Sequence, residues 1–141
     1  MAITSAVCDS FKAEQLGGST VHDFSTDTFK MALYTDSATL GATTTAYTVS
    51  NEVSGTGYSA GGVALTSVSV TAASGGAYLD FADPSWTSAT FTARGCLVYN
   101  SSKSNRAVFV LDFGSNKTVS SGTFTVILPT ASLSDAVLRI T

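Results

Sequence analysis

The chain has 141 residues, of which 44% are hydrophobic and only 12% are charged, and its net charge at pH 7 is −3. The length predicts a single domain over residues 1–141, and the charged fraction is about half of the roughly 25% usual in soluble domains. The seven Lys and Arg residues are scattered, so the basic patch that drives nucleic-acid binding is missing. No apolar run approaches the roughly 20 residues of a membrane-spanning helix.

The N-terminal segment is the part of the sequence that most resembles a helix. Ile3, Val7 and Phe11 recur at i, i+4 and i+8, which predicts a helix over residues 3–16 with these side chains on one face. Gly17-Gly18 supplies a stop. We expect residues 1–17 to form an N-terminal helix or arm whose apolar face docks on a partner protein. The alternative is that this face covers one open end of the protein's own sheets.

From Thr28 onward the hydrophobic period changes to two. Phe29, Met31 and Leu33 alternate with other residues, which predicts a half-buried strand. Residues 36–62 are rich in Thr, Ser, Gly and Ala, and we expect a long surface excursion there, with short strand-like pieces around Tyr47 and Tyr58. Strand signals return over 63–71. Val63 and Leu65 lie at odd positions whereas Val68 and Val70 lie at even positions, and this slip in parity predicts a bulge or a change of sheet near Thr66-Ser67.

The rest of the chain predicts short strands separated by turns. The strands are expected at about 77–82, 89–93, 96–100, 106–113, 122–128 and 136–140. Turn residues separate them, as in Asp83-Pro84-Ser85, Gly114-Ser115-Asn116 and Ser120-Ser121-Gly122. This spacing indicates an all-β fold, namely a single antiparallel β-sandwich that is jelly-roll-like, with a short N-terminal helix.

The N-terminus has neither a basic region nor a long apolar stretch, so we expect no secretory signal. The two cysteines, Cys8 and Cys96, lie far apart in sequence. In a protein made in a cytoplasm they are expected to be reduced, packed thiols. A disulfide or a metal pair is the alternative.

Candidate catalytic groups are few. His22 is the one histidine, and no nucleophile elbow accompanies it, so we expect a loop or surface residue. Asp80 and Asp83 could form a glycosidase pair, but we favour the interpretation in which Asp80 ends a strand and Asp83-Pro84 starts a turn. Asp112-Phe-Gly114 spells the kinase magnesium tripeptide without any other kinase motif. We therefore predict no enzyme, no catalytic residue, no metal site and no cofactor.

The aromatic residues allow a second kind of function. Tyr34, Tyr47, Tyr58, Tyr99 and Trp86 could together form a sugar-stacking platform, although aromatic side chains more often pack cores and interfaces. We assign Tyr47 and Tyr58, with Ile3, Val7 and Phe11, to a candidate assembly interface.

Several segments of the chain resemble a family of small structural virion proteins of tailed bacteriophages, and the likeness covers nearly the whole chain. The segments are Met1-Ala-Ile-Thr-Ser-Ala-Val-Cys8 with Ser10-Phe11-Lys12, Asp27-Thr-Phe-Lys-Met-Ala-Leu-Tyr34, Thr44-Thr-Ala-Tyr47, Asn51-Glu-Val-Ser-Gly-Thr-Gly-Tyr58 with Gly61-Gly62, Asp80-Phe-Ala-Asp83, Trp86-Thr-Ser-Ala-Thr90, Ala93-Arg-Gly95, Tyr99-Asn-Ser101, Asn105-Arg-Ala107 and Val110-Leu-Asp-Phe-Gly114.

The resemblance implies a protein made in the host cytoplasm and built into the virion. The leading expectation is a capsid decoration (cement) protein that packs on the major capsid protein or other virion proteins, as a homo-oligomer for which a trimer is one arrangement. The first alternative is a tail, neck or fibre-associated structural protein. A receptor or glycan-binding module is the second alternative, and a hydrolase ranks last. No nucleic acid or membrane is expected as a partner.

Overall fold

The computed structural model describes residues 2–141; Met1, the first residue of the predicted arm, lies outside the described residues. These residues form eight strands and one helix. The elements are β1 (Ala6–Val7), α1 (Asp9–Leu16), β2 (Phe29–Tyr34), β3 (Val63–Ala64), β4 (Ser69–Ala73), β5 (Gly76–Asp80), β6 (Ser85–Asn100), β7 (Arg106–Thr125) and β8 (Leu138–Ile140).

The strands form two antiparallel sheets. The large sheet has the order β1-β7-β6-β2-β3, and the small sheet has the order β4-β5-β8. All of these strand pairs are antiparallel. The described chain is therefore mostly β with one short helix, which agrees with the predicted all-β class.

The centre of the large sheet is covered on both faces. On one face Phe29 of β2 stacks on Phe24 at 4.3 Å between ring centroids, and Phe109 of β7 stacks on Phe81 at 6.5 Å. On the other face Tyr99 of β6 stacks on Tyr47 at 4.7 Å. The half-buried strand predicted over 28–34 is therefore wrong in its burial, because β2 is buried along nearly its whole length.

The segment over residues 36–62 provides that second cover. It runs over the large sheet as irregular chain that inserts Ala38, Leu40 and Val53 into the core. Gly62, with φ of +79°, lies so close to the backbone of Met31 and Ala32 that a Cβ there would clash. The expected surface excursion is thus a layer packed on the sheet. Two of its four isolated bridges, Ala46 to Arg106 and Thr56 to Thr90, lie close to Tyr47 and Tyr58.

The N-terminal helix is shorter than predicted. Ile3 makes an isolated parallel bridge with Leu40, and Val7 belongs to β1, where it pairs with Phe109. Helix α1 begins only at Asp9 and ends at Leu16, just before Gly17-Gly18. The predicted stop is confirmed, whereas the predicted start at residue 3 is wrong.

The two longest strands replace four predicted ones. β6 joins the predicted strands 89–93 and 96–100, and β7 joins 106–113 with part of 122–128. Gly114-Ser115-Asn116 lies in an irregularity of β7, since Ala93 pairs with Lys117 while Gly95 pairs with Asp112. Ser121, with φ of +48°, lies in a second irregularity. Turn-forming residues here make β-bulges and do not end the strand.

The parity slip near Thr66-Ser67 corresponds to a change of sheet. β3 pairs with β2 in the large sheet, whereas β4 pairs with β5 in the small sheet. Ser67, between them, has φ of +53°. The predicted change of sheet is confirmed.

Candidate functional site

The predicted N-terminal docking residues lie largely within the protein's own core. Ile3 and Phe11 are buried, and Val7 is half-buried against β7. Ile3 packs on Gly95, where a Cβ would come within 2.9 Å of its Cγ2 atom. The ring of Phe11 lies 5.0 Å from that of His22 and 6.0 Å from that of Phe24. This placement favours the alternative in which the N-terminal segment covers the protein's own sheet.

The other two predicted interface residues, Tyr47 and Tyr58, meet at one carboxylate. The Tyr47 hydroxyl donates to Oε2 of Glu52 at 2.7 Å, and the Tyr58 hydroxyl donates to Oε1 at 2.6 Å. The amide of Gly61 also donates to Oε1, at 2.7 Å. Tyr58 in turn accepts the amide of Leu33 in β2 at 2.9 Å. Glu52 therefore holds residues 47–61 of the segment on the large sheet, where Tyr47 stacks on Tyr99 and Tyr58 hydrogen-bonds to Leu33.

Burial of these hydroxyls shifts their acidity. Desolvation, followed by the hydrogen bond to Glu52, raises the pKa of both Tyr47 and Tyr58 well above the ordinary tyrosine range. Desolvation likewise raises the pKa of Tyr34, whose hydroxyl donates to the Thr48 carbonyl at 2.7 Å. These phenols are neutral hydrogen-bond donors at physiological pH, so their role in this geometry is to hold the segment in place.

The five aromatics proposed for sugar stacking do not form an open platform. Tyr34, Tyr99 and Trp86 are each at most 3% exposed. Tyr58 stacks on Trp86 at 6.2 Å, and Tyr47 stacks on Tyr99. Four of the five rings therefore pack in pairs, and the fifth, Tyr34, is fully buried.

His22 is buried rather than at the surface. Its Nε2 atom lies 3.1 Å from Oε1 of Glu14, whose other oxygen accepts from Arg106 at 2.6 Å. Its Nδ1 atom lies 3.1 Å from the Asn100 amide nitrogen. Because Asn100 accepts the Ser102 amide through its oxygen, it donates to Nδ1, and His22 carries its proton on Nε2.

Both ring nitrogens of His22 are thus engaged in joining α1 to the turn between β6 and β7. No serine among residues 2–141 hydrogen-bonds to the ring. The expectation of a loop residue is confirmed, since His22 lies between α1 and β2, but the expectation of a surface position is wrong. The arrangement is that of a buried structural network.

The acidic candidates have local structural roles. β5 ends at Asp80, and Asp83 accepts the Leu128 amide at 3.0 Å. Asp112 accepts from Arg94 at 2.8 Å and from the Gly114 amide at 3.0 Å, and the Arg94 hydrogen bond lowers the pKa of its carboxyl group. Asp112-Phe-Gly114 therefore stabilises a bulge between β6 and β7.

Cys8 and Cys96 are both buried and unbonded to each other. Burial raises the pKa of the Cys8 thiol to about 11 and that of the Cys96 thiol to about 12. Thiols with raised pKa values are poor nucleophiles at neutral pH, so this geometry suits packing.

The small sheet has an apolar face that is only partly exposed, since its Leu79 is 4% exposed and belongs to the core. Its cross-strand rows place Val70 beside Leu79 and Leu138, and Ala72 beside Ala77 and Ile140. We call these six residues the small-sheet face. Phe11 and Phe24 border it at a groove of about 130 Å³, but Val70 is 58% exposed and Ile140 is 70% exposed. Leu16 of α1, at 91% exposure, lines a neighbouring groove with Leu138 and Ile140.

A second apolar surface lies where the distal part of β7 ends. Phe113, Phe124, Val126 and Ile127 line a groove of about 360 Å³ together with Lys117 and Thr125, and we call these residues the distal groove. Ile127 is 80% exposed. The distal groove shares no residue with the small-sheet face, so the protein presents apolar contacts at two separate places.

The sequence indicated neither surface as a site. The signal for the small-sheet face was available in the alternation of Val68, Val70 and Ala72 with Ser and Thr. We call Glu52 with Tyr47, Tyr58 and Gly61 the Glu52 cluster. The sequence signal for it was that Glu52 is the one charged residue between Asp36 and Asp80, with a tyrosine five or six residues away on each side.

Comparison with known proteins adds no relative: no family model, curated protein or solved structure matches the chain. Within residues 2–141, no group of three or more His, Cys, Asp or Glu side chains is placed to hold a metal ion. The helix that the structure describes is too short to cross a membrane.

Proposed function

We propose that this protein is a structural component of the virion of a tailed bacteriophage, and specifically a capsid decoration protein that stabilises the shell through protein–protein contacts. The observation that carries the proposal is the pair of exposed apolar surfaces on a chain with few charges. Val70 and Ile140 of the small-sheet face and Ile127 of the distal groove are each at least 58% exposed. Contiguous exposed apolar side chains mark protein interaction surfaces.

Two separate surfaces suit a protein that bridges neighbours. The small-sheet face and the distal groove share no residue, so each can contact a different subunit of a lattice. Repetition over a shell lets individually modest contacts act together. The resemblance to small virion proteins over nearly the whole chain supports the same role, with the major capsid protein as partner and a homo-oligomer, for which a trimer is one arrangement, as the assembled form.

The proposed function needs no catalysis. Glu14 hydrogen-bonds to both His22 and Arg106, and Glu52 accepts from two tyrosines. We also propose that the two sheets and the connections between them form a jelly-roll-like sandwich. The contact of Phe81, next to the small sheet, with Phe109 of the large sheet supports this arrangement.

Copy number tests the position in the virion. In purified particles, quantitative gel analysis should find the protein in a simple ratio to the major capsid protein. Tens of copies or fewer would overturn the decoration role and support the alternative of a tail, neck or fibre component. Absence from particles together with specific binding on a glycan array would overturn both and favour the receptor module.

A reattachment experiment tests the contact surfaces. Purified protein added to particles that lack it should bind and raise the temperature at which the capsids open. The double variant Ile140→Ser with Ile127→Ser changes one exposed residue of each surface and should bind weakly, whereas Val49→Ser, an exposed valine outside both surfaces, should bind like the unmodified protein. Equal binding by all three proteins would contradict the proposed surfaces.

A further inference from the structure

The edges of the two sheets differ in how well they are protected against pairing with another chain. Exposed edges are normally blunted by shortness, charge, proline or bulges. In the large sheet the edge strands β1 and β3 have two residues each. The parts of β6 and β7 that extend beyond these edge strands pair with each other through bulges and carry Arg94 and Lys117. In the small sheet, β8 has three residues and includes Arg139.

β4 has none of these protections. It has five residues, Ser-Val-Thr-Ala-Ala, and all five are exposed. No charged residue or proline occurs between Glu52 and Asp80. Among residues 2–141, β4 pairs on one side with β5 and has no strand on its other side.

The register fixes which backbone groups face outward. Ala73 pairs with Gly76 across the two-residue turn at Ser74-Gly75, and the pair that flanks such a turn is hydrogen-bonded. Because hydrogen-bonded and non-hydrogen-bonded pairs alternate along an antiparallel ladder, Thr71–Tyr78 and Ser69–Asp80 are the other hydrogen-bonded pairs. Val70 and Ala72 lie at the alternate positions. Their N–H and C=O groups therefore point away from β5 toward the open edge.

We infer that β4 of one copy pairs antiparallel with β4 of a second copy, about a two-fold axis at Thr71. In this register Val70 lies opposite Ala72 of the second copy, and each such pair exchanges two hydrogen bonds. All five residues of β4 overlap because Thr71 is the midpoint of the strand. No charge opposes a like charge, since the strand has none, and the two threonines meet as a pair that sheets favour.

The inference also accounts for exposed apolar area. Val70 and Ala72 belong to the small-sheet face, and directly opposed residues of antiparallel strands lie on the same face of a sheet. Pairing therefore joins the faces of two copies into one apolar face of a six-stranded sheet, β8-β5-β4-β4-β5-β8. It covers Val70, which is 58% exposed in the single chain. A closed two-fold contact of this kind ends at a dimer and does not propagate.

Sedimentation of the full chain tests the inference, independently of any role in a virion. We expect a monomer–dimer equilibrium at protein concentrations up to about 1 mM. A monomer throughout this range, or a trimer without a dimer, would overturn the two-fold pairing. Neither result would bear on the copy number in particles, so the failure of this inference and that of the proposed function are distinguishable.

Charge-swap variants test the register. Thr71→Lys places two ammonium groups opposite each other, and Thr71→Glu places two carboxylates there, so each alone should weaken the dimer at least ten-fold. A mixture of the two should restore dimerisation as a heterodimer, while Thr123→Lys, at an exposed position of β7, should dimerise like the unmodified protein. Failure of the mixture to associate would show that Thr71 is not at the axis.

Ala72→Pro provides a test that does not depend on charge. It removes an outward N–H that the β4–β5 ladder does not use, and proline is tolerated at such edge positions. We expect a folded monomer with an unchanged circular dichroism spectrum. A dimer of unchanged affinity would place the contact elsewhere on the molecule.

Discussion

The large and small sheets bury their strands in different ways. β2 and the adjoining halves of β6 and β7 are covered on both faces, by α1 and the chain around Phe81 on one side and by segment 36–62 on the other. The small sheet has one face only partly covered by Phe11 and Phe24, and its strand β4 is exposed along its whole length. The difference indicates that the large sheet provides most of the stability and that the small sheet provides a surface for contacts.

The largest effect should come from the centre of the large sheet. Leu97 of β6 is fully buried, so Leu97→Ala should lower the free energy of unfolding by about 2–5 kcal/mol. Urea denaturation measures this change. The matched control is Ile140→Ala in β8 of the small sheet, because Ile140 is 70% exposed and surface changes usually stay within about 0.5 kcal/mol. Similar losses in the two variants would break the comparison between the sheets.

The second effect should come from the cover over the large sheet. Glu52→Ala leaves the Tyr47 and Tyr58 hydroxyls and the Gly61 amide without their acceptor. Leaving buried donors unsatisfied costs about 1–3 kcal/mol, and we expect a loss of that size in urea denaturation. Limited proteolysis should then cut within segment 36–62.

Two controls separate this effect from a loss of charge. Glu52→Gln keeps an acceptor oxygen and should lose less stability than Glu52→Ala. Asp135→Ala removes an exposed carboxylate and should leave stability unchanged. If segment 36–62 resists proteolysis equally in all three variants, Glu52 does not hold it in place.

The third effect is a loss of stability in alkaline solution. The pKa values of Cys8, Cys96, Tyr47 and Tyr58 are raised in the folded protein, mainly by desolvation. Between the unfolded and the folded pKa of each group, the unfolded chain binds fewer protons, so stability falls as pH rises. The contribution is fully present below the unfolded values of about 8.5 for Cys and about 10 for Tyr.

The urea midpoint should therefore fall between about pH 8 and about pH 11. Cys96→Val removes an ionisable group of similar size from the large sheet and should make this fall shallower. A midpoint that is independent of pH over the whole range would mean that these groups are not desolvated as the structure shows.

The sequence predicted the features of this fold that depend on neighbouring residues. Gly17-Gly18 ends α1, and the parity slip at Thr66-Ser67 marks the change from the large sheet to the small one. The start of the helix could not be predicted in the same way. Ile3 and Val7 are four residues apart, a spacing that suits one helix face but also one face of an extended chain, and short apolar runs do not resolve this ambiguity.

Features that depend on distant residues were beyond local patterns. Gly114-Ser115-Asn116 reads as a turn, but the pairing of β6 on both sides of it keeps β7 continuous. The burial of His22 depends on Glu14 and Asn100, and the latter is 78 residues away. The Glu52 cluster likewise joins Tyr47, Tyr58 and β2, which meet only after the sheet has formed. Tertiary contacts therefore decided those parts of the candidate site.

The smallest effect on stability should be the most informative about function. Ile127→Ser changes a side chain that is 80% exposed in the distal groove, so the free energy of unfolding should change by no more than about 0.5 kcal/mol. Its attachment to particles lacking the protein should nevertheless weaken, because the exposed isoleucine is proposed to be covered by a neighbouring subunit. Val49→Ser, with similar exposure outside both surfaces, should change neither property. A stability loss in Ile127→Ser as large as that of Leu97→Ala would assign the distal groove to the core. The small sheet would then be the one contact surface that remains of the two proposed.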